Sequence, residues 1–363
     1  MNVLLLSGKF GMGHNSVANA IKEDLEKQYS KEINIRSVDI CKYLFPKAHK
    51  TIYKGFGIIA NKYKFIYNTS FNIVEAKDNN DILMKKRIMN NLRYLIDGFD
   101  TDLVISTLPL TSKFMSIYKE YFNSSIPVIT CITDVSTHDE WLNPNTNIYF
   151  VATLSIKTHL VEQGIQEDSI YVCGVPVKST FKDSNKIVAN LNTKNKQLLI
   201  MGGGLGLLPK EENFYKNINS IKGLKTTIIT GNNKHAFKKL YGKYENIDVV
   251  GYTDKVSDYM KEADLLISKP GGVTLFETIH SELPILVFKP SLSQEVFNAK
   301  YIEEEQIGKV IWDEKIDVVK EITQLLYSNL TLSQYKVNMI NIKNDLEHNA
   351  PVKAINSLEL YRV

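Results

Sequence analysis

The sequence predicts an α/β protein of two doubly wound, Rossmann-like halves facing a cleft. Three observations carry that prediction. Short apolar runs alternate with helix-period segments along most of the chain, as parallel sheets with crossover helices require. Each half opens on an apolar strand that ends in glycines: Val3 to Ser7 runs into Gly8, Gly11 and Gly13, and Gln197 to Met201 into Gly202-Gly203-Gly204-Leu205-Gly206. Between them, 179–195 is rich in Asp, Ser, Asn and Lys and reads as a linker. The expected domains are therefore 1–178 and 196–335, with a helical tail over 336–363.

Bulk properties narrow the class. At 363 residues the chain is long for one core and comfortable for two domains. Its 44% apolar and 23% charged content is that of a soluble globular protein, and a net charge of +4 alone says little about partners. Cys41, Cys131 and Cys173 are far apart and form no CxxC, which fits a reducing compartment and argues against a zinc site or disulfide frame. The start, Met1-Asn2-Val3-Leu4-Leu5-Leu6, lacks a basic lead and reads as a strand, not a signal peptide. No run approaches the ~18 apolar residues of a spanning helix. The expectation is a cytoplasmic protein that at most lies on a membrane.

The first strand and its glycine turn lead to a helix from about Ser16 to Tyr29. Gly11-x-Gly13 is half of a dinucleotide fingerprint; the third glycine is missing, and Asp39 is the one acid placed to end the next strand. His14 faces the carboxyl ends of the strands, where α/β sheets bind ligands. Capping the turn through a backbone bond is its plainer alternative.

Residues 42–93 differ from the rest. Aromatics recur from Tyr43 to Phe71, and eleven lysines and arginines stand against Glu75, Asp78 and Asp81. Basic residues near an anionic leaflet contribute about 1 kcal/mol each, and aromatic rings suit the headgroup boundary. No RNA- or DNA-binding motif accompanies them, so nucleic acid is not expected. A solvated helical face over a Tyr/Phe core competes with the membrane reading, which is the one taken.

Strands at Asp102 to Ser106 and Pro127 to Thr133 follow, the second ending in Thr133-Asp134-x-x-x-His138-x-x-Trp141. Two ionisable side chains and an indole thus leave one strand end. A carboxylate there could serve as general base on an alcohol or hold His138 or His14 in its useful tautomer; capping a turn is the commoner task of aspartate. Tyr149 to Thr153 and Ile170 to Cys173 read as further strands before Gly174-Val175-Pro176-Val177.

In the second half, Gly203 and Gly204 let backbone approach a phosphate closely. Thr226 to Thr230 and Ile247 to Gly251 read as strands, the latter followed by Tyr252. The strand Ala263 to Ile267 enters the densest stretch: Lys269-Pro270-Gly271-Gly272 is a turn that bares N–H groups, with Thr274 the expected N-cap. The positive end of such a helix beside a lysine is an anion site, and Glu277, one turn in, suits two ribose hydroxyls. After the strand Pro284 to Phe288 and Lys289-Pro290 comes Gln294-Glu295, and Gln294 and Asn298 share a helix face. A generic β-loop-α unit with a Gly-Gly turn has the same outline. Leu332 to Val363 reads as a helical tail broken near Asn349-Ala350-Pro351.

These residues resemble the donor-nucleotide motif of the glycosyltransferases related to monogalactosyldiacylglycerol synthase and the processive diacylglycerol glucosyltransferases. That pattern is close to K-P-G-G-x-T-x-x-E, a strand, K-P, and Q-E-x-x-N-A. The G-x-G-H turn ending at His14, the T-D-x-x-x-H-x-x-W run from Thr133 and the turn at Gly174 are similar to the same family. The resemblance implies the GT-B fold of family-28 type, with a C-terminal helix returning to the first domain. It implies an enzyme peripheral on the inner face of the cell membrane, moving a hexose from UDP-glucose or UDP-galactose to diacylglycerol with inversion. His14 or Asp134 would be the base, and 42–93 would meet the acceptor and an anionic membrane surface. Gly13, Gly203, Gly204, Tyr252, Lys269, Gly271, Gly272, Thr274, Glu277, Gln294, Glu295 and Asn298 would bind the donor. No Asp-x-Asp pair sits at a strand end of the second half, so neither metal nor cofactor is expected; helix N-termini and Lys269 would neutralise the leaving group.

A transferase moving N-acetylglucosamine to a polyprenyl-linked cell-wall precursor shares the glycine turns, but the run from Thr133 and the long insertion favour the glycerolipid synthases. A non-catalytic UDP-sugar sensor is the alternative outside the enzymes. Phe276 and Ile279-His280 depart from the small residues that the family carries around Glu277.

Overall fold

The computed structural model describes residues 1–10, 13–59, 79–136, 139–182, 195–204, 206–290, 293–313 and 315–358. The chain divides into two compact units, Met1–Ser179 with Glu347–Val363, and Thr180–Leu346.

The first unit is a parallel sheet of β1 (Asn2–Ser7), β2 (Asn34–Asp39), β3 (Leu103–Ser106), β4 (Val128–Cys131), β5 (Ile148–Val151) and β6 (Ile170–Val172), in the order β2-β1-β3-β4-β5-β6. Its helices include α1 (Gly13–Tyr29), α2 (Ile40–Leu44), α3 (His49–Ile59), α4 (Asn79–Asp97), α5 (Pro109–Phe122) and α6 (Leu154–Glu162). Strands β3, β4 and β5 are buried at every position, because helices cover both faces of a parallel sheet. Leu4, Leu6, Val104 and Val128 pack against Met89 and Leu92 of α4 and Met115 of α5. Because β1 lies between β2 and β3, the strand order reverses there. The crevice above the carboxyl ends of β1 and β3 is thus the topological switch point.

The second unit repeats the plan with β7 (Lys196–Met201), β8 (Leu224–Ile229), β9 (Ile247–Val250), β10 (Leu265–Ser268), β11 (Ile285–Phe288) and β12 (Gly308–Ile311), in the order β12-β11-β10-β7-β8-β9. Its helices include α7 (Glu212–Asn219), α8 (Lys234–Leu240), α9 (Val256–Glu262), α10 (Gly272–Ser281), α11 (Ser293–Glu304), α12 (Val318–Tyr327) and α13 (Asn329–Asp345). Here the order reverses between β7 and β10, which puts the turn after Met201 beside the turn after Ser268. Strand β12 was not foreseen. A Cβ on Gly308 would stand 2.1 Å from the Ile285 carbonyl oxygen, so glycine is what allows β12 to pair with β11.

The tail does not behave as one element. Helix α13 stays with the second unit, held by an ion pair of Lys343 with Glu282 at 2.5 Å and by Lys196 Nζ donating to Asn329 Oδ1 at 3.1 Å. The break comes after Asp345, ahead of the expected one, and Glu347 then docks on β6. Its N–H donates to the Val172 carbonyl at 2.7 Å, and its carboxylate accepts from Val172 N–H at 2.9 Å. Helix α14 (Ala350–Ser357) buries Ala350, Ala354 and Ile355 within the first unit.

Candidate functional site

At the first switch point, α1 begins at Gly13, three residues before the expected start, which makes His14 part of its first turn. His14 Nδ1 lies 2.8 Å from the Thr107 carbonyl oxygen, an acceptor only, so Nδ1 carries the proton and Nε2 of the neutral ring keeps its lone pair. The Thr107 hydroxyl returns a bond to the His14 carbonyl at 3.1 Å, and Thr133 Oγ1 stands 3.3 Å from Nδ1. Burial pushes the imidazole below its ordinary 6.5; the Asp134 carboxylate and the Thr107 carbonyl pull the other way. The ring is thus neutral at pH 7 and shaped as a base. Thr107 gave no sequence signal, since it meets His14 only because β3 lies beside β1.

The remaining expectations for this unit divide. Trp141 is buried in the core; His138, Gly11 and Met12 lie outside the described residues. Asp39 Oδ1 accepts from Lys42 N–H at 3.0 Å and from the Tyr53 hydroxyl, which ties the end of β2 to α2 and α3. Of the aromatics in 42–93, Tyr43, Phe45 and Tyr53 pack against the core, whereas Lys42, Lys47 and Lys50 are exposed. Residues 60–78 of that segment lie outside the described residues.

At the second switch point two glycine turns meet. Gly203 and Gly206 have φ of +64° and +62°, in the left-handed region. The Lys269 side chain crosses the first turn so closely that a Cβ on Gly203 would lie 3.1 Å from its Cε. Asn232 N–H reaches the Gly204 carbonyl at 3.3 Å, and Asn233 Nδ2 the Gly206 carbonyl at 2.9 Å while its Oδ1 caps α8 through Ala236 N–H. Asn233 was missed by the sequence reading; an Asn two residues after a strand-end glycine was its only signal.

Helix α10 begins earlier than expected. Gly271, not Thr274, is its N-cap, with extended φ −74° and ψ 142° and no side-chain cap. The Leu275 N–H is bonded to the Gly271 carbonyl at 2.9 Å, so the N–H groups of Gly272, Val273 and Thr274 form the open end of the helix. Glu277 lies a turn deeper, on the half-buried face with Val273 and Thr274. Phe276 and Ile279, which depart from the family pattern, are fully buried and pack the core.

Helix α11 supplies the support. Glu295 is buried and pairs with Lys269 at 2.7 Å, so the cation foreseen for an anion is already held by a carboxylate. Asn298 is buried too, and its Nδ2 donates to the Pro270 carbonyl at 2.8 Å, which makes it a brace of the Lys269–Gly272 turn. The Gln294 side chain lies outside the described residues, and Tyr252 is 66% exposed at the end of β9. Replacing Asn298 by alanine should cost about 1–3 kcal/mol, the penalty of an orphaned buried partner, read as a lowered urea midpoint with unchanged slope.

With that geometry in view, likeness to known proteins decides the family. The monogalactosyldiacylglycerol (MGDG) synthase family model matches residues 14–177, and the glycosyltransferase family 28 C-terminal domain model matches 198–349. The processive diacylglycerol beta-glucosyltransferase of Staphylococcus carnosus (strain TM300) is 30% identical over 340 residues, 89% of this chain and 84% of its own. The chain belongs to this family of diacylglycerol glycosyltransferases. As a family member it is a hexosyltransferase. The namesake from Staphylococcus aureus (strain MRSA252) is 28% identical over 356 residues, 93% of this chain and 87% of its own.

Among solved structures, Acinetobacter baumannii MurG matches with a TM-score of 0.65 at 13% identity, covering 99% of each chain. The Staphylococcus aureus MnaA–UDP co-structure matches at 0.56 and 14%, covering 92% of this chain and 90% of that one. At such identity the likeness speaks for the fold, which is GT-B.

Proposed function

We propose that this family member transfers glucose or galactose from its UDP derivative to diacylglycerol at a membrane surface, with inversion and without a metal ion. The observation that carries the reading is His14, a neutral imidazole tied at Nδ1, with Nε2 left as the base. The acceptor hydroxyl passes its proton to Nε2 as its oxygen bonds to the anomeric carbon. The bond from that carbon to the β-phosphate oxygen breaks and UDP leaves with the electron pair, so an α-linked donor gives a β product. Asp134, whose charge favours the protonated ring, stabilises the imidazolium. The open N–H groups of α10 receive the leaving diphosphate, with Lys269 beside them shared with Glu295, and Glu277 takes the ribose hydroxyls.

The lipid side of the proposal draws on the segment after β2. A groove of about 580 Å³ lies between the α2–α3 connection and α4, lined by Leu44, Pro46, Met84 and Ile88 with Lys47 and Arg87. An apolar floor with cations suits an acyl chain below an anionic headgroup layer. Among the described residues no helix is long and apolar enough to cross a membrane, so contact is proposed to be peripheral.

The test is label transfer by purified protein to diacylglycerol in anionic vesicles, with UDP-glucose and UDP-galactose supplied separately and EDTA present. Labelled glycolipid names the sugar, and its formation in EDTA supports the metal-free route. UDP-sugar binding without transfer would instead point to a polyprenyl-linked acceptor or to a sensor. Glu277→Ala should weaken UDP binding by roughly tenfold in calorimetry while leaving kcat at saturating donor nearly unchanged.

A further inference from the structure

The helix that follows the groove reaches back to the turn that presents His14. From α3, the Tyr53 hydroxyl donates to Asp39, the last residue of β2. A backbone bond from Lys9 meets the same hydroxyl, and the Tyr53 ring stands edge-on to Phe10 with centroids 5.0 Å apart. Phe10 closes over the turn: a Cβ on Gly8 would lie 3.2 Å from the Phe10 ring and 3.3 Å from Leu108. Leu108 is the neighbour of Thr107, whose carbonyl fixes the His14 ring. One side chain therefore grips Lys9 and Phe10, just ahead of His14 in the chain. Burial and the Asp39 carboxylate raise the Tyr53 hydroxyl far above its ordinary range, so it remains a donor at any assay pH.

We propose that Tyr53 is a positioning residue, holding the Gly8–Phe10 turn and through it the His14 imidazole from the helix next to the lipid-facing groove. Its expression in turnover rests on the proposed function; its effect on the His14 ring does not. A loosened turn readmits water to the imidazole, which removes the burial that lowers its pKa, while Asp134 remains the charged group facing it.

The experiment pairs kinetics with NMR titration of the His14 ring in the full-length protein. Tyr53→Phe keeps the ring on Phe10 and deletes the hydroxyl. It should lower kcat by about tenfold, leave the UDP-sugar Kd within about twofold, and move the His14 midpoint upward toward 6.5. Asp39→Asn still accepts both bonds and should keep turnover. Asp39→Ala should resemble Tyr53→Phe, and the double variant should be no worse than either alone. Unchanged kcat with an unmoved His14 midpoint in Tyr53→Phe overturns the proposal. So does a loss of activity that merely follows the folded fraction measured by circular dichroism, with the midpoint unmoved. If the wild type transfers nothing to diacylglycerol, the functional reading fails, and the titration still decides the role of Tyr53.

Discussion

Replacing His14 by alanine is expected to lower kcat by about 10²–10⁴-fold with donor affinity unchanged, because in the proposed mechanism the ring acts on the acceptor proton and not on the nucleotide. The measurement is steady-state transfer to diacylglycerol together with calorimetric UDP binding. Equal losses in both would show a collapse of the unit instead. Asp134→Ala should cost less, since it removes a charge that favours imidazolium but leaves the Nδ1 bond to Thr107 in place.

The pH dependence follows from the same lowered pKa. A base must be unprotonated to act, so turnover should stay level as pH falls through 6.5 and decline only at the lower folded-state value. Stability carries the opposite cost. The unfolded chain takes up the His14 proton first, so its contribution to folding is lost between the unfolded pKa and the folded one as pH falls. An activity limb centred above 6.5 would assign the base elsewhere.

Gly206→Ala is expected to damage the second unit severely. Left-handed φ of +62° costs a non-glycine residue roughly 1–2 kcal/mol. The added Cβ would also stand 2.1 Å from the Thr230 carbonyl oxygen and 2.6 Å from Asn233 Cβ, an overlap that adds about 1–3 kcal/mol. The sum, about 2–5 kcal/mol, should appear as a lower urea midpoint, with UDP affinity falling at least tenfold because the Asn233 brace is displaced. Gly271→Ala is the control. Its φ is −74° and nothing lies within 4 Å of the new methyl, so the fold should lose no more than about 1 kcal/mol, the N-cap preference of glycine over alanine. Loss of UDP binding there would report close approach of ligand to backbone.

Composition alone does not show which aromatics of 42–93 serve the protein's own core. Tyr43, Phe45 and Tyr53 counted there as headgroup aromatics, yet they pack against the unit's own core, while the neighbouring lysines remain exposed. Thr274 misled in a similar way. Side-chain capping preferences favour threonine, but the extended backbone of Gly271 starts the helix earlier and leaves backbone N–H groups, not a hydroxyl, at its mouth.

What the sequence by itself determined is the punctuation of the two halves. Apolar runs ending in glycine mark the strand ends because strand burial and left-handed φ are local demands on residue type, met at Gly203 and Gly206. It also determined the family, since the turn at His14, the run from Thr133 and the stretch from Lys269 are contiguous motifs. Only the tertiary structure decided which of these residues hold others in place. His14 meets Thr107 across 93 positions, Lys269 meets Glu295 across 26, and Asn298 braces Pro270 across 28. The first of these depends on β1 lying beside β3, and the brace on the seat of α11 beside the Lys269 turn. Spacing along the chain carries no record of either: strand order and helix packing are set by burial across the whole sheet.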